Sequence, residues 1–548
     1  MEFIIEQALQ RRSRWGALAA VFFPLLFSLP ACSQHRSSTA APRDSLNLKL
    51  DQATPGVFSV QTPLAFDSTR LDRFMRTYPA FEPYAQVIRI FYRHRKYTYA
   101  WFEHGRLIEQ ASNLVNHVLN MDLEGLKKHS LYERQLDSLM FIDNATATDA
   151  ELELMLTAQY FLFAKLAWTG QDVAFSRAED WNLPRKKIDY EQFLDTLIAT
   201  RPADPGRTPV YRQYELLRRY LIKYRQLATL NWPDLRPPAG LRQGDTCRVV
   251  RAIKARLWQL EDFADDTASI LYDEGLKKAI KRFQERHGLL ANGSLNKETL
   301  SELNVPIQQR IGQLIVNMER SRWLPAELSG DYLAVNIPEF KMHVYHGDSL
   351  LWSCNAVVGQ TMHRTTVFYG ELKQIVFSPY WNVPPDILRK EILPAVRRNP
   401  NYLATHHMEI TGYKNSLPVI RQKPGPDNPL GLIKFLFPNS YHIYLHDTPS
   451  KSLFNENLRA FSHGCIRISE PARLAAFLLK DRLDWPPEKI NTYMNAGTER
   501  FLTLRRATPV FIAYVTAFVD RAGRLNFRKD IYGLDQHLLQ ALLAAGSE

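Results

Sequence analysis

The sequence predicts a multidomain α+β protein, and three observations carry that prediction. Its 548 residues exceed what one ordinary core serves, which implies about two to four domains. Apolar residues recur at helical spacing through the first half, and after Tyr332 the pattern changes to the two-residue alternation of strands. Between the two lies NWPDLRPPAGLRQGD, a boundary by composition, with Pro233, Pro237 and Pro238. Hydrophobic content of 45% and aromatic content of 11% supply material for real cores. The formal charge of +12 comes from 69 basic and 57 acidic residues spread along the whole chain. With no basic run and no RNA-reading motif, that charge argues against nucleic acid and leaves acidic surroundings of another kind.

At the N-terminus Arg11, Arg12 and Arg14 precede an apolar run from Trp15 to Leu29 that contains Pro24. The run is too short for the roughly 20 residues that a membrane-crossing helix needs, so residues 1–31 read as an export signal. Leu29-Pro30-Ala31-Cys32 is similar to a bacterial lipobox, in which Cys32 would receive lipid; ordinary signal-peptide cleavage stays open beside it. Residues 32–58, including SSTAAPRDS, form a flexible tether by composition.

Residues 59–238 read as a helical domain, carried by YAQVIRIFYRHRKYTYAWFEHGRL and ELELMLTAQYFLFAKLAW. Residues 239–305 make a small helical module: Asp273 caps a helix, Leu276, Ala279, Ile280 and Phe283 form its buried stripe, and Gly288 ends it. Residues 306–330 are expected as a linker helix. Residues 331–535 form a β-rich domain with the strands YLAVNIP, KMHVYHGDSLLWSCNAVVG around a His346-Gly347-Asp348 turn, and YHIYLHD. Residues 536–548 are a C-terminal tail.

The chemistry concentrates in FSHGCIRI, residues 461–468. If Cys32 is lipidated, Cys247, Cys354 and Cys465 remain, an odd number, so one thiol has no intrachain partner. Cys354 alternates with Leu350, Trp352, Ala356 and Val358 on one strand face and reads as core filler. Cys465 follows a glycine and precedes SEPARLAAFLLKDRL, a helix with Ser469 as its expected N-cap and Leu474, Phe477 and Leu478 on its apolar face. A thiol attacks a carbonyl as thiolate, so it needs an imidazole, and His463 and His446 are both candidates. Gly464 lets main-chain N–H groups converge on a developing oxyanion. By residue type alone, Cys465 could equally be buried filler, or a zinc ligand with His446 and His463, although CxxC and HExxH spacings are missing.

Fifteen residues, 447 to 461, separate His446 from Ser462-His463-Gly464-Cys465, and this arrangement resembles the signature of the L,D-transpeptidases. MERSRWLP, VNIPEFKMHVY, FSPYWNVPPDILRKEILP, RQKPGPDNPLGLIKFLFPNSYHIYLHDTPSKSLF and VTAFVDRAGRLNFRKDIYG are similar to the large periplasmic subgroup of that family. Arg467 stands where small members often carry Asn and the large subgroup uses Arg, while Thr366 departs from a common proline. Leu241 with Gly244, Phe283-Gln284, Gly288-Leu289 and Asn292-Gly293 resemble a three-helix peptidoglycan-binding module, with Asn292 where Asp is usual.

The resemblance implies a helical scaffold domain, a peptidoglycan-binding module and a β-rich catalytic domain with a capping insertion at 384–422. Cys465 is then the nucleophile and His446 the general base, oriented by the backbone carbonyl of Asp447. Ser462, His463 and Gly464 shape the turn, and the amides of Gly464 and Cys465 hold the oxyanion. Arg467, Tyr444 and Trp381 become substrate-binding residues. The implied reaction expels the terminal D-Ala of a tetrapeptide stem through a Cys thioester and makes a 3-3 cross-link to the diamino acid of another stem. Water as acceptor would make an L,D-carboxypeptidase, a protein amine a wall-anchoring enzyme, and loss of chemistry a binding scaffold. No metal or organic cofactor is expected. The expected partners are donor and acceptor peptidoglycan stems, a membrane reached through lipid on Cys32, and cell-wall synthases, in the periplasm or cell envelope, with carbapenems acylating Cys465.

Overall fold

Helix-spaced apolar residues build the first half of the computed structural model, which describes residues 62–126, 130–140, 149–200 and 208–545. The export signal, the tether and Cys32 lie outside the described residues. The helix Ala150–Phe163 is buried on nearly every face, its apolar residues being distributed all round it, and the helices Thr69–Thr77, Ala85–His94, Glu109–Leu119 and Glu133–Met140 contribute to the same core. Glu153, inside that central helix, is buried yet satisfied: it accepts from the amides of Ala100 at 2.6 Å and Trp101 at 3.0 Å and from the Tyr92 hydroxyl at 2.8 Å.

This half is not purely helical. A short hairpin pairs β1 (Phe102–Glu103) with β2 (Arg106–Leu107), and β3 (Trp181–Asn182) leaves the helices to join the large sheet of the second half. In the small module, helices Arg248–Gln259, Glu274–Arg286 and Lys297–Leu303 enclose Ile253, Leu257, Leu276, Ile280 and Phe283. The Asp273 carboxylate caps the second helix by accepting from the Leu276 amide at 2.7 Å, and Gly288, at φ +66°, turns the chain away after its end.

The segment expected as a linker helix has a larger role. Helix Ile307–Trp323 buries Leu314 and Met318 in the helical core and Val316 and Trp323 in the core of the second half. One helix therefore belongs to both, and its indole is fixed by Glu319 at 3.0 Å.

The strands that follow are β4 (Asp331–Asn336), β5 (Lys341–His346), β6 (Ser349–Gly359) and β7 (Val367–Phe377). After them come β8 (Trp381–Asn382), β9 (Met408–Lys414), β10 (Leu417–Gln422), β11 (Ile433–Leu436), β12 (Leu445–His446), β13 (Ala460–Ser462), β14 (Ile466–Ile468) and β15 (Arg500–Ala513). The order β11-β12-β14-β6-β5-β4-β15-β7 closes on itself, because β11 also pairs with β7, and β3 adds to the outer edge of β7. Leu333, Val335, Met342, Val344, Ile375, Ile466 and Ile512 point into this ring.

Two edges of the expected domain pack differently. The hairpin β16 (Ala517–Val519) and β17 (Leu525–Phe527) sends Val519, Leu525 and Phe527 into the helical core. The expected tail opens as a helix, Leu534–Ala545, whose Leu538 is buried against the barrel. The cap has its own three-stranded sheet, β8-β10-β9, over a core of Leu388, Ile392 and Ile420. Among the described residues no helix is long and apolar enough to cross a membrane.

Candidate active site

The site is built on two short parallel strands. Leu445 lies opposite Ile466 and His446 opposite Arg467 across β12 and β14, and the Ile466 amide donates to the Tyr444 carbonyl at 3.1 Å. Because side chains alternate, Tyr444 and His446 share a face with Cys465 and Arg467. The rings of Tyr444 and His446 lie 5.6 Å apart.

Burial, first, and the charge of Arg467, second, push His446 down to about 3, so its ring is neutral at physiological pH. Its Nδ1 lies 2.5 Å from the Asp447 carbonyl. A carbonyl only accepts, so Nδ1 carries the proton and Nε2 keeps its lone pair. Asp447 is itself locked: its amide donates to the Ile433 carbonyl at 2.9 Å, and its carboxylate accepts from the Leu432 amide at 2.9 Å and pairs with Lys451. Gly431, at φ +60°, lies against that carboxylate so closely that a Cβ would collide with it.

The Cys465 thiol donates to the His442 carbonyl at 3.6 Å, and His442 stands in the left-handed region at φ +56°. Burial pushes the thiol up, while the Tyr444 backbone and hydroxyl bonded to it, and Arg467, act in the opposite direction. The structure thus brings Cys465 and His446 to one face without a hydrogen bond between them.

The turn is held from within. Ser462 Oγ donates to the Cys465 carbonyl at 2.5 Å and accepts from the Gly464 amide at 3.1 Å. Of the two amides expected to hold an oxyanion, that of Gly464 bonds within the turn, whereas that of Cys465 makes no hydrogen bond within it. The Gly464 carbonyl accepts from Thr365 Oγ1 at 2.8 Å, and the Tyr532 hydroxyl accepts from the Thr365 amide at 3.2 Å while donating to the Gly359 carbonyl at 2.5 Å. Gly464 adopts φ +110°, a conformation that side-chain-bearing residues avoid.

His463, the other candidate base, turns away. Its ring lies 3.7 Å from the Glu391 carboxylate of the cap and 4.9 Å from the ring of His363. His446, His463 and Cys465 accordingly do not gather; among the described residues no cluster of three His, Cys, Asp or Glu side chains could hold a metal. Arg467 has no carboxylate partner among the described residues, and its buried Nε makes no hydrogen bond. Trp381 belongs to the sheet of the cap, opposite Gln422. Ser469 does not cap the following helix: its hydroxyl accepts from the Asn355 amide at 3.1 Å, and Glu470 occupies the cap position of helix Pro471–Leu478.

Sequence reasoning missed Glu391, Thr365, Gly431 and Tyr532. Only Gly431 carried a signal, a glycine between apolar residues in PLGLI.

Comparison with known proteins agrees with this geometry. Residues 330–519 match the YkuD model, described as "L,D-transpeptidase catalytic domain", residues 86–221 a "Scaffold domain", and residues 249–303 a "Putative peptidoglycan binding domain". A Haemophilus influenzae protein named "Putative L,D-transpeptidase" is 34% identical over 242 residues, 41% of this chain and 48% of that protein, so the match spans about half its length. A crystal structure of an L,D-transpeptidase from Stackebrandtia nassauensis is 15% identical with a TM-score of 0.21, covering 51% of this chain and 97% of its own. One from Xylanimonas cellulosilytica is 16% identical with a TM-score of 0.17, covering 51% and 100%. Scores this low carry no weight beside the matched domains. Over residues 330–519 the chain matches the L,D-transpeptidase catalytic domain.

Proposed function

We propose that the protein is a cysteine L,D-transpeptidase that forms 3-3 cross-links between peptidoglycan stems. The observation that carries this reading is the shared face of Cys465 and His446, with the imidazole fixed as its Nδ1–H tautomer by the Asp447 carbonyl. At rest thiol and imidazole are both neutral. On arrival of a tetrapeptide donor the thiol swings from the His442 carbonyl to His446 Nε2, which takes its proton as sulfur bonds to the carbonyl carbon of the third residue. The Cys465 amide donates to the oxyanion. Collapse breaks the C–N bond to D-Ala, whose amine leaves with the proton held by His446, and a thioester remains. The side-chain amine of an acceptor stem then attacks the thioester, an amide forms, and sulfur leaves and regains its proton.

The unpaired guanidinium of Arg467 is suited to a stem carboxylate, and Tyr444 lines the thiol pocket. Trp381 would act through the cap. The contact of Glu391 with His463 supports a cap that shields the thioester from water, favouring transfer over hydrolysis. The peptidoglycan-binding and catalytic domains together support the cell envelope as the place of action; export, lipid on Cys32, partnership with wall synthases and acylation by carbapenems belong to the same reading.

The test is intact-mass spectrometry of the purified protein with tetrapeptide muropeptides beside Cys465→Ala, with products resolved by chromatography. A thioester adduct and cross-linked dimers, both lost in the variant, support transpeptidation. Tripeptide alone moves the assignment to carboxypeptidase, and neither adduct nor product from competent stems overturns the enzymatic reading.

A further inference from the structure

A cavity of about 330 Å³ opens where the helical half, the shared helix, the outer face of β4 and β5, and the C-terminal hairpin meet. None of its lining residues belongs to the FSHGCIRI turn, β12 or the cap, so it is a different place from the active site. Its position is firmly held: the Gln213 side chain donates to the Val519 carbonyl and accepts from the Val519 amide, both at 2.8 Å, clamping the helical half to the hairpin.

The polar groups in this cavity divide into two sets. Glu339 is spent on His343 at 3.0 Å and Asn336 at 3.2 Å, and Asn317 and Arg320 are spent on Thr516 and Asp535. Tyr211, Arg212, Tyr332, Tyr345, Asp348 and Arg521 are not. Among the described residues neither Arg212 nor Arg521 has a carboxylate partner within 4.0 Å, and no hydrogen bond is made by the three phenol hydroxyls. Tyr332 and Tyr345 are stacked, with centroids 4.9 Å apart and planes 12° from parallel, and Phe511 meets Tyr332 edge-on at 5.8 Å, which fixes the rings in the wall. Leu324 and Leu328 complete the apolar side. Arg521 and Asp348 stand exposed at the mouth of the cavity, while Tyr211, Arg212, Tyr332 and Tyr345 are buried or half-buried in its wall, and together they leave polar groups open to a ligand.

The charges say which kind. Two guanidiniums recognise carboxylate, with bidentate geometry available to each. Asp348 supplies one acceptor for an amine, and the phenols can serve a peptide's amides as donors and acceptors. We propose that this cavity is a second, non-catalytic binding site for a carboxylate- and amine-bearing peptide of the peptidoglycan-stem class. The assignment of that class rests on the proposed function; the carboxylate preference follows from the cavity itself. Because its walls come from both halves, an occupied cavity holds the helical half and the catalytic barrel together on the wall while Cys465 works on another stem.

Hydrogen exchange followed by mass spectrometry tests this with the full-length protein and the tripeptide L-alanyl-γ-D-glutamyl-diaminopimelate, which lacks a D-Ala to lose. The expected result is protection within residues 209–213, 341–350 and 517–523, with apparent affinity falling about tenfold or more in the double variant Arg212→Gln, Arg521→Gln. Asp348→Asn, at an exposed position, lowers affinity in the same direction if the double variant fails to fold. Protection confined to residues 442–468 overturns the second site and leaves the catalytic reading standing, as does cavity protection indifferent to all three substitutions. Protection nowhere also overturns it. Cavity protection in a protein that never turns over tetrapeptide keeps the site and sinks the enzyme.

Discussion

Two ionisable side chains, one buried and one half-buried, set the halves of this molecule apart. Glu153, in the helical half, is fully buried and receives two backbone amides and a tyrosine hydroxyl. Arg467, in the catalytic half, keeps a buried Nε with no partner and has no carboxylate beside it among the described residues. Burying a charge is costly unless its hydrogen bonds are made. The hydrogen bonds of Glu153 are made within the protein and belong to architecture, whereas the buried Nε of Arg467 is left without one. The same contrast holds around it: His446 has one nitrogen fixed and one open, and the turn uses the Gly464 amide but leaves that of Cys465.

The strongest way to break the comparison is Cys465→Ala. Removing a nucleophile costs on the order of 10⁴-fold or more in kcat. The change is expected to leave the melting temperature near wild type, since the thiol makes only a long contact to the His442 carbonyl and weak bonds to Tyr444. A variant that retained substantial turnover would move the chemistry elsewhere.

Gly431→Ala strikes the support instead of the reacting groups. A methyl at φ +60° collides with the Asp447 carboxylate, and the displaced carbonyl of that residue no longer fixes His446. The expected outcome is a kcat lower by roughly 10²-fold and stability lower by about 2 kcal/mol. Turnover assays and thermal melts on one preparation check both. Unchanged kcat would show that the imidazole needs no such fixing.

These two positions also mark what was legible in the sequence. Cys465 and His446 were readable because their spacing is a chemical pattern, and Asp273 and the stripe of its helix because capping and periodicity are local. Gly431 opposite Asp447, Glu391 beside His463 and Thr365 beneath Gly464 are not local: 16, 72 and 99 residues separate the partners, and no propensity reports such meetings. Helix Ile307–Trp323 reads as a linker for the same reason, since a helix buried on two sides by two domains has the sequence pattern of one between them. Ser469 has an N-cap's identity, yet strand pairing with Asn355 claimed its hydroxyl first.

Arg467→Gln sharpens the contrast from the catalytic side. Arg467 is the second cause, after burial, that holds His446 down at about 3, so its loss lets that value rise. His446 must be neutral to accept the thiol proton, and the acid limb of the kcat/KM profile therefore moves to higher pH, by on the order of one unit. KM for the donor rises about tenfold if the guanidinium holds a stem carboxylate. A shifted limb with unchanged KM would restrict Arg467 to tuning the base.

Glu153→Gln carries the smallest effect on activity and tests the other half. Burial holds Glu153 up at about 7, above its ordinary 4.5, against the opposing bonds from Ala100, Trp101 and Tyr92. Between those values the unfolded chain has released this proton and the folded protein has not, so stability falls as pH rises. At 1.36 kcal/mol per unit the loss approaches about 3 kcal/mol by pH 7 and then levels off. In Glu153→Gln that part of the pH dependence disappears, while kcat on tetrapeptide stays as it was. Urea midpoints from pH 4.5 to 8 provide the check. A variant as pH-dependent as wild type would mean that Glu153 is ionised throughout, its three donors outweighing burial, and a satisfied buried charge would then be cheaper here than its surroundings imply.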